Sequence, residues 1–362
     1  MVVSGQSNPA FQTEASARAR LGRGRPRPPG RARILKGEGM WGWIFTAPAL
    51  IGILVFLVLP IVFTVWISFT EWNGIVSPTE AEFVGPDNYQ ELLFEDGVRR
   101  EDFAKALRNN LYYVLGVVPV QTFLAFLLAV ILNQRVLKGK GFFRTAYYFP
   151  SITSSIAVSL IFTFLFQFNG LINTILPIGS VNWLDNAHGL LHNLLGVFGV
   201  DEAPGWLAQT EFMDLALWEW LAGPSVTMSS IMVLSIWTTI GTFMLIFLAG
   251  LQSISTSVEE AAAVDGASSV QRFWRITVPL MRPTIFFVLT LGVIGTWQVF
   301  DQIFAISFGG PQKTTLTPAF LIYQSLFRDS RGGTGAAIAV LLFIIIVVFT
   351  LIQRRLTRET DR

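Results

Sequence analysis

Residues 226–251 read VTMSSIMVLSIWTTIGTFMLIFLAGL, 26 positions without one charged side chain. A helix needs about 20 apolar residues to cross the hydrocarbon core of a bilayer. In lipid such a run satisfies its backbone polar groups only by coiling into a helix. Five further runs share this character: 41–69, 110–132, 145–168, 283–306 and 334–353. Across all six there is a single ionisable carboxylate, Asp301. The sequence therefore predicts an all-α integral membrane protein with six transmembrane helices. A membrane barrel would need short alternating segments instead. Pro48 and Pro60 in the first run predict interfacial ends or a kink.

The whole-chain composition agrees. Of 362 residues, 52% are hydrophobic and 14% charged, where a soluble domain carries about 25% charged residues. The absence of cysteine excludes disulfides, thiolate metal sites and a cysteine nucleophile. The two histidines, His188 and His192, are four apart, but Gly189 stands where the zinc-protease pattern requires Glu. A zinc centre needs three or four ligands, so no metal site is read here.

Orientation follows from lysine and arginine. The segments 1–40, 134–144, 252–282 and 354–362 hold 19 of the 26, and the alternate segments hold 7. Both termini are thereby placed in the cytoplasm, as six spans require. Residues 1–40 are rich in Arg, Pro and Gly and read as a disordered basic cytoplasmic tail. The six-span domain is read over 41–355, with a short cytoplasmic tail at 356–362.

Two outer loops are long. Residues 70–109 carry nine acidic side chains and the turn-forming stretch Phe83-Val84-Gly85-Pro86-Asp87-Asn88-Tyr89, followed by a short helix through Leu92 and Leu93. Residues 169–225 contain no Lys or Arg. There Leu190, Leu191, Leu194, Leu195 and Phe198 recur with helical period, and Trp218 and Trp220 suit a membrane boundary. Short helices at the outer surface or against a partner are expected.

The inner loop between spans four and five carries the most information. Ser257 followed by Glu260 reads as a capping box, three alanines favour helix and Gly266 supplies a stop. A second start from Ser268 to Gln271 leads to an end at Pro279. Two short helices meeting at a turn make a knob shaped for another protein's groove. The spacing Glu260-Ala261-Ala262, then Gly266, then Ile276 and Val278-Pro279 resembles the EAA pattern of the membrane subunits of binding-protein-dependent ABC importers. Val278 replaces the usual Leu. The similarity runs from about Met40 to Arg355 and points to the sugar-permease branch (maltose, trehalose and glycerol-3-phosphate type). It rests also on Ala47-Pro48-Ala49-Leu50-Ile51-Gly52, Ser68-Phe69-Thr70-Glu71-Trp72, Phe143-Arg144-Thr145, Phe149-Pro150, Leu248-Ala249-Gly250-Leu251-Gln252, Asp265-Gly266-Ala267-Ser268 and Gly309-Gly310-Pro311. Ser255 departs from the pattern's usual proline, and residues 186–222 resemble an insertion.

The resemblance implies a type I importer permease in a bacterial or archaeal cytoplasmic membrane, with no enzymatic activity of its own. The sequence has no Gly-x4-Gly-Lys-Ser/Thr phosphate loop, so ATP and Mg would be bound by a pair of partner ATPases. Their grooves would receive the elbow 257–279 through Glu260, Ala261, Ala262, Asp265, Gly266, Ile276 and Pro279. A second six-span permease subunit and an external solute-binding protein carrying a sugar or oligosaccharide are the other implied partners. Two polar groups inside spans are candidates for the solute path: Trp237, Thr238, Thr239 and Thr242 in span four, and Trp297, Gln298 and Asp301 in span five. An intramembrane acid is a functional candidate by default. A membrane enzyme would need a second acid, a histidine cluster or a nucleophile–base pair. A phosphate-ester importer would be expected to place Lys or Arg in a span, and none does. An ion-driven carrier would leave the elbow unexplained.

Overall fold

The computed structural model describes residues 38–358 except 135, 177–179 and 201. The tail at 1–37 and the last four residues lie outside the described residues, so the reading of a disordered basic tail falls there too. The chain divides into two compact units, 1–61 and 62–362.

Helix α1 (Met40–Ile67) is the first span. It widens into a π turn at Leu54–Val58, two residues before Pro60. A proline has no N–H to donate, and its ring clashes with the carbonyl four residues back; a wider turn relieves that clash. Strands β1 (Thr70–Glu71) and β2 (Glu82–Phe83) pair antiparallel and lead through Gly85, at φ +64°, into α2 (Asp87–Leu93). As the sequence predicts, Leu92 is buried, while the Tyr89 hydroxyl meets Ser68 Oγ at 2.7 Å.

Helix α3 (Val98–Asn133) is the second span and begins about three turns before its apolar run. The third span is two pieces, α4 (Lys140–Ile152) and α5 (Ser155–Phe166), bent by 97°. This departs from the single run expected over 145–168. The break follows Pro150, and the hydroxyls beside it bond to carbonyls, one in the fourth span and one in the preceding turn. Ser151 Oγ donates to Thr238 O at 2.6 Å and Thr153 Oγ1 to Phe149 O at 2.9 Å.

The outer loop 186–222, expected as an insertion, contains α6 (Leu190–Val197), the paired strands β3 (Glu211–Phe212) and β4 (Leu215–Ala216), and α7 (Leu217–Trp220). The stretch from Phe212 to Leu221 is thus a hairpin first and a helix only at its end. Met213 and Asp214 take positive φ at the hairpin tip, and Asp214 accepts from the Arg100 guanidinium at 2.9 Å.

Helix α8 (Val226–Ser253) is the fourth span, N-capped by Ser225 Oγ, which accepts from Met228 N at 3.0 Å. Helices α9 (Thr256–Val264) and α10 (Ser269–Leu280) form the cytoplasmic elbow. After α10 the chain bends by 61° into α11 (Arg282–Trp297), the fifth span. Helix α12 (Asp301–Ile306) follows a break at Gln298–Phe300, and α13 (Pro318–Phe327) returns to α14 (Gly332–Arg358), the sixth span. Among the described residues four helices are long and apolar enough to cross a membrane alone; the bent pair α4–α5 and α11, which continues from α10 across the 61° bend, bring the number to six.

The core follows from parallel packing of α3 against α8. An outer cluster gathers Phe103, Tyr113 and Val117 with Met228, Ile231, Ile303 and Phe320, and an inner one joins Ala125 and Ala129 to Met244, Phe247, Met281 and Val288. Lipid offers no hydrophobic drive between helices, so close approach depends on small residues. Gly241 shows this: a Cβ there would fall on the Tyr147 carbonyl of α4.

Candidate functional site

The elbow is built much as the spacing predicts, with one correction. Ser268 accepts from Gln271 N at 3.3 Å while Gln271 Oε1 accepts from Ser268 N at 2.9 Å, a complete capping box. The expected box at Ser257 and Glu260 does not form. Helix α9 starts two residues earlier, with Ser255 at its N-cap, and the Ser255 and Ser257 hydroxyls bond each other at 2.7 Å. With its hydroxyl engaged there, Ser257 caps no backbone N–H.

Gly266 closes α9 at φ +80°, and Ala267 N donates back to Ala262 O at 2.9 Å. A side chain at this φ would be strained, which is why the position is Gly. Arg272 joins the two helices, donating from Nη2 to Ser269 Oγ at 3.3 Å and from Nη1 to Glu259 O at 3.5 Å.

The helix ends one residue past Pro279, at Leu280, close to where the sequence reading puts its end. A second π turn, Phe273–Thr277, again stops two residues before the proline and lets the helix run on to Leu280. Ile276 and Pro279 are half-buried at this base, whereas Glu260, Ala261, Asp265 and Gly266 stand exposed and Ala262 is half-buried. Val264 is 88% and Trp274 64% exposed. A cytoplasmic knob that keeps valine and tryptophan in water has the composition of a docking surface. Phe273 contacts Phe126 of α3, ring centroids 6.0 Å apart, so the elbow packs directly on the second span.

The two groups of path candidates are not brought together. Trp237 is half exposed and packs on Phe162 at 5.4 Å. It lines a cavity of about 400 Å³ with Val120, Tyr147, Pro150 and Val233. Gln298 lines a different cavity of about 590 Å³, with Ile294, Ile322, Phe343 and Ile346. Thr238 Oγ1 donates to Leu234 O at 3.1 Å and Ser235 O at 3.0 Å within its own helix, as hydroxyls in helices often do. Thr239 Oγ1 donates to the buried Gln121 Oε1 at 2.6 Å, and Thr242 is exposed. Trp297 faces inward: it is 2% exposed and meets Phe349 at 5.2 Å. Asp301 is exposed and opens the first turn of α12, where the helix dipole favours an acid.

The broken third span adds residues that the apolar count passes over. Ser151 is bonded to the Thr238 carbonyl, so the polar break and the threonines of span four share one depth. The signal is present in sequence as Pro150 followed by Ser151, Thr153, Ser154 and Ser155.

Comparison with known proteins bears on this arrangement. Residues 121–362 match the family described as binding-protein-dependent transport system inner membrane component. The chain is 33% identical over 322 residues to the multiple sugar-binding transport system permease protein MsmF of Streptococcus mutans, covering 89% of this chain and 96% of that one. It is 30% identical to the arabinooligosaccharides transport system permease protein AraP of Bacillus subtilis, covering 87% and 88%. A crystal structure of a bacterial ABC transporter that imports the acidic polysaccharide alginate superposes with a TM-score of 0.64 at 21% identity, over 91% of this chain and 98% of that one. With six apolar crossings, an exposed cytoplasmic elbow and these likenesses, the chain belongs to the inner-membrane components of binding-protein-dependent transport systems.

Proposed function

We propose that this chain is one of two permease subunits of an ATP-driven importer, and that the pair forms the membrane path for a sugar or oligosaccharide. An external binding protein delivers the solute to the outer face, and two cytoplasmic ATPases supply the energy. The nucleotide and its Mg²⁺ sit on those ATPases, and the host membrane is the cytoplasmic membrane of a prokaryote. The observation that carries the reading is the elbow: an exposed, apolar-tipped pair of short helices, closed by Gly266 and wired through Phe273 to α3. Relatives named for sugar and arabinooligosaccharide transport support the solute class. Trp237 and Gln298, each lining a cavity beside the spans, are the side chains we assign to the solute path in this subunit. Nucleotide-driven closure of the ATPases would swing the spans as rigid bodies through the packed elbow.

The test is reconstitution of the importer with its ATPases and binding protein. Glu260→Lys and Gly266→Pro should abolish solute uptake while leaving the permease pair folded, as judged by size-exclusion profile. Full uptake by both variants refutes the coupling role.

A further inference from the structure

We infer that helix α6 of the outer insertion is an interfacial anchor that lies in the outer leaflet of the bilayer. The face it offers is defined by sequence and exposure together. At 100° per residue, Leu190, Leu191, Leu194, Val197 and Phe198 fall within one arc about 120° wide, and all five are exposed, Val197 by 81% and Phe198 by 75%. The opposite side holds His192, Leu195 and Gly196, which are half-buried against the chain. His192 stacks on Trp218 with centroids 4.3 Å apart and its Nε2 lies 3.0 Å from Trp218 O, fixing which face turns outward. A helix with one apolar side and one side already occupied has one surface left to cover.

Depth identifies what covers it. Helices α3 and α8 run side by side in the same direction, joined by Tyr113 to Ser235 and by Gln121 to Thr239. Those two pairings put the N-cap Ser225 level with residues 103–107 of α3, within about 8 Å of its last charged residue, Arg108, at a rise of about 1.5 Å per residue. Arg108 Nη1 donates to Glu219 O at 3.2 Å, and the Tyr112 hydroxyl to Trp220 O, so α7 sits at the same level. Arg108 closes a charged stretch of α3 that holds Arg99, Arg100, Glu101, Asp102 and Lys105, all half-exposed, and the uncharged run 110–132 follows it. This is the outer boundary of the membrane.

Helix α6 is tied to that plane by its first turn. Leu190 N donates to Pro224 O at 2.9 Å, Leu191 N to Ala222 O at 3.1 Å, and Gly189 bridges to Ser225. Charge agrees with lipid as the occupant. The carboxylates of Asp214 and Glu219 turn back to Arg100 and Arg108, and α6 itself carries no charge among Leu190–Val197. An apolar helix face held at the headgroup level gains by submerging in that boundary, in proportion to the apolar area it buries.

The chain has no cysteine, so single labels are unambiguous. Leu194→Cys and Phe198→Cys, each carrying a nitroxide, would be measured in the whole importer in proteoliposomes without binding protein. Glu211→Cys serves as the water-facing reference, because its hairpin rides outside the boundary on Arg100. Collisions with dissolved oxygen should exceed those with a nickel chelate at 194 and 198, with the order reversed at 211. Nickel access at 194 and 198 equal to that at 211 overturns the proposal, and so does access to neither quencher, which would mean a protein covers the face. In parallel, the unsubstituted importer photolabelled with a diazirine dissolved in the bilayer should carry label on the peptide spanning 190–198; an unlabelled peptide also overturns it. Neither readout depends on transport, so the outcome is separate from that of the solute assignment.

Discussion

Gly241 shows how much of this membrane protein turns on a missing methyl group. Its Cα lets α4 cross α8 so closely that a side chain would meet the Tyr147 carbonyl and the Tyr148 Cα, which are backbone and cannot move aside. Gly241→Ala should therefore cost about 1–3 kcal/mol through overpacking, visible as a lower midpoint of thermal unfolding in detergent. Gly295, with open space around its Cβ position, should tolerate alanine. Nothing in the sequence marks the first glycine as the crowded one. Residue identity alone could not separate Trp297 from Trp237 either: both sit in apolar runs, yet one is packed on Phe349 and the other lines a cavity. What decides such positions is the partner helix, and an apolar run carries no record of its partner.

At the scale of elements, the spans and the elbow were legible because both follow rules local to the chain. Apolar length marks a crossing, and serine at a helix start with Gln three residues on marks a cap. The misreadings came where two local rules compete. Ser257 has the spacing of a cap, but Ser255 starts the helix first and takes its hydroxyl. At Pro279 the stop was read to within one residue, but the π turn that precedes it, like the one before Pro60, was not. Loss of the cap should distinguish the two serines. Ser268→Ala should weaken the elbow by about 0.5–2 kcal/mol, read as faster amide exchange across 256–281, while Ser257→Ala should leave that exchange nearly unchanged.

For the whole molecule, topology was the most readable property, since positive charge and apolar length are both sums over many residues. The outer end of α3 works as the hub of the extracytoplasmic side. Arg100 holds the insertion hairpin through Asp214, Arg108 holds α7, and Asn109 Nδ2 donates to Lys313 O at 2.8 Å and Leu316 O at 3.0 Å in the loop before α13. None of these long-range ties has a sequence signature, because each joins residues more than 100 positions apart. Sidedness is directly testable. In intact cells a membrane-impermeant maleimide should label Asp96→Cys at once and Ser269→Cys only after the membrane is opened; equal labelling of both would refute the assigned orientation.

The break between α4 and α5 has a further consequence. A helix interrupted beside Thr238, near the middle of α8, leaves backbone groups that hydrocarbon cannot satisfy, so that region must face protein or water. Were water to reach it during a transport stroke, hydronium and sodium would gain the same route. Whatever seals it at either end between strokes therefore guards the cell's electrochemical gradient as well as its cargo.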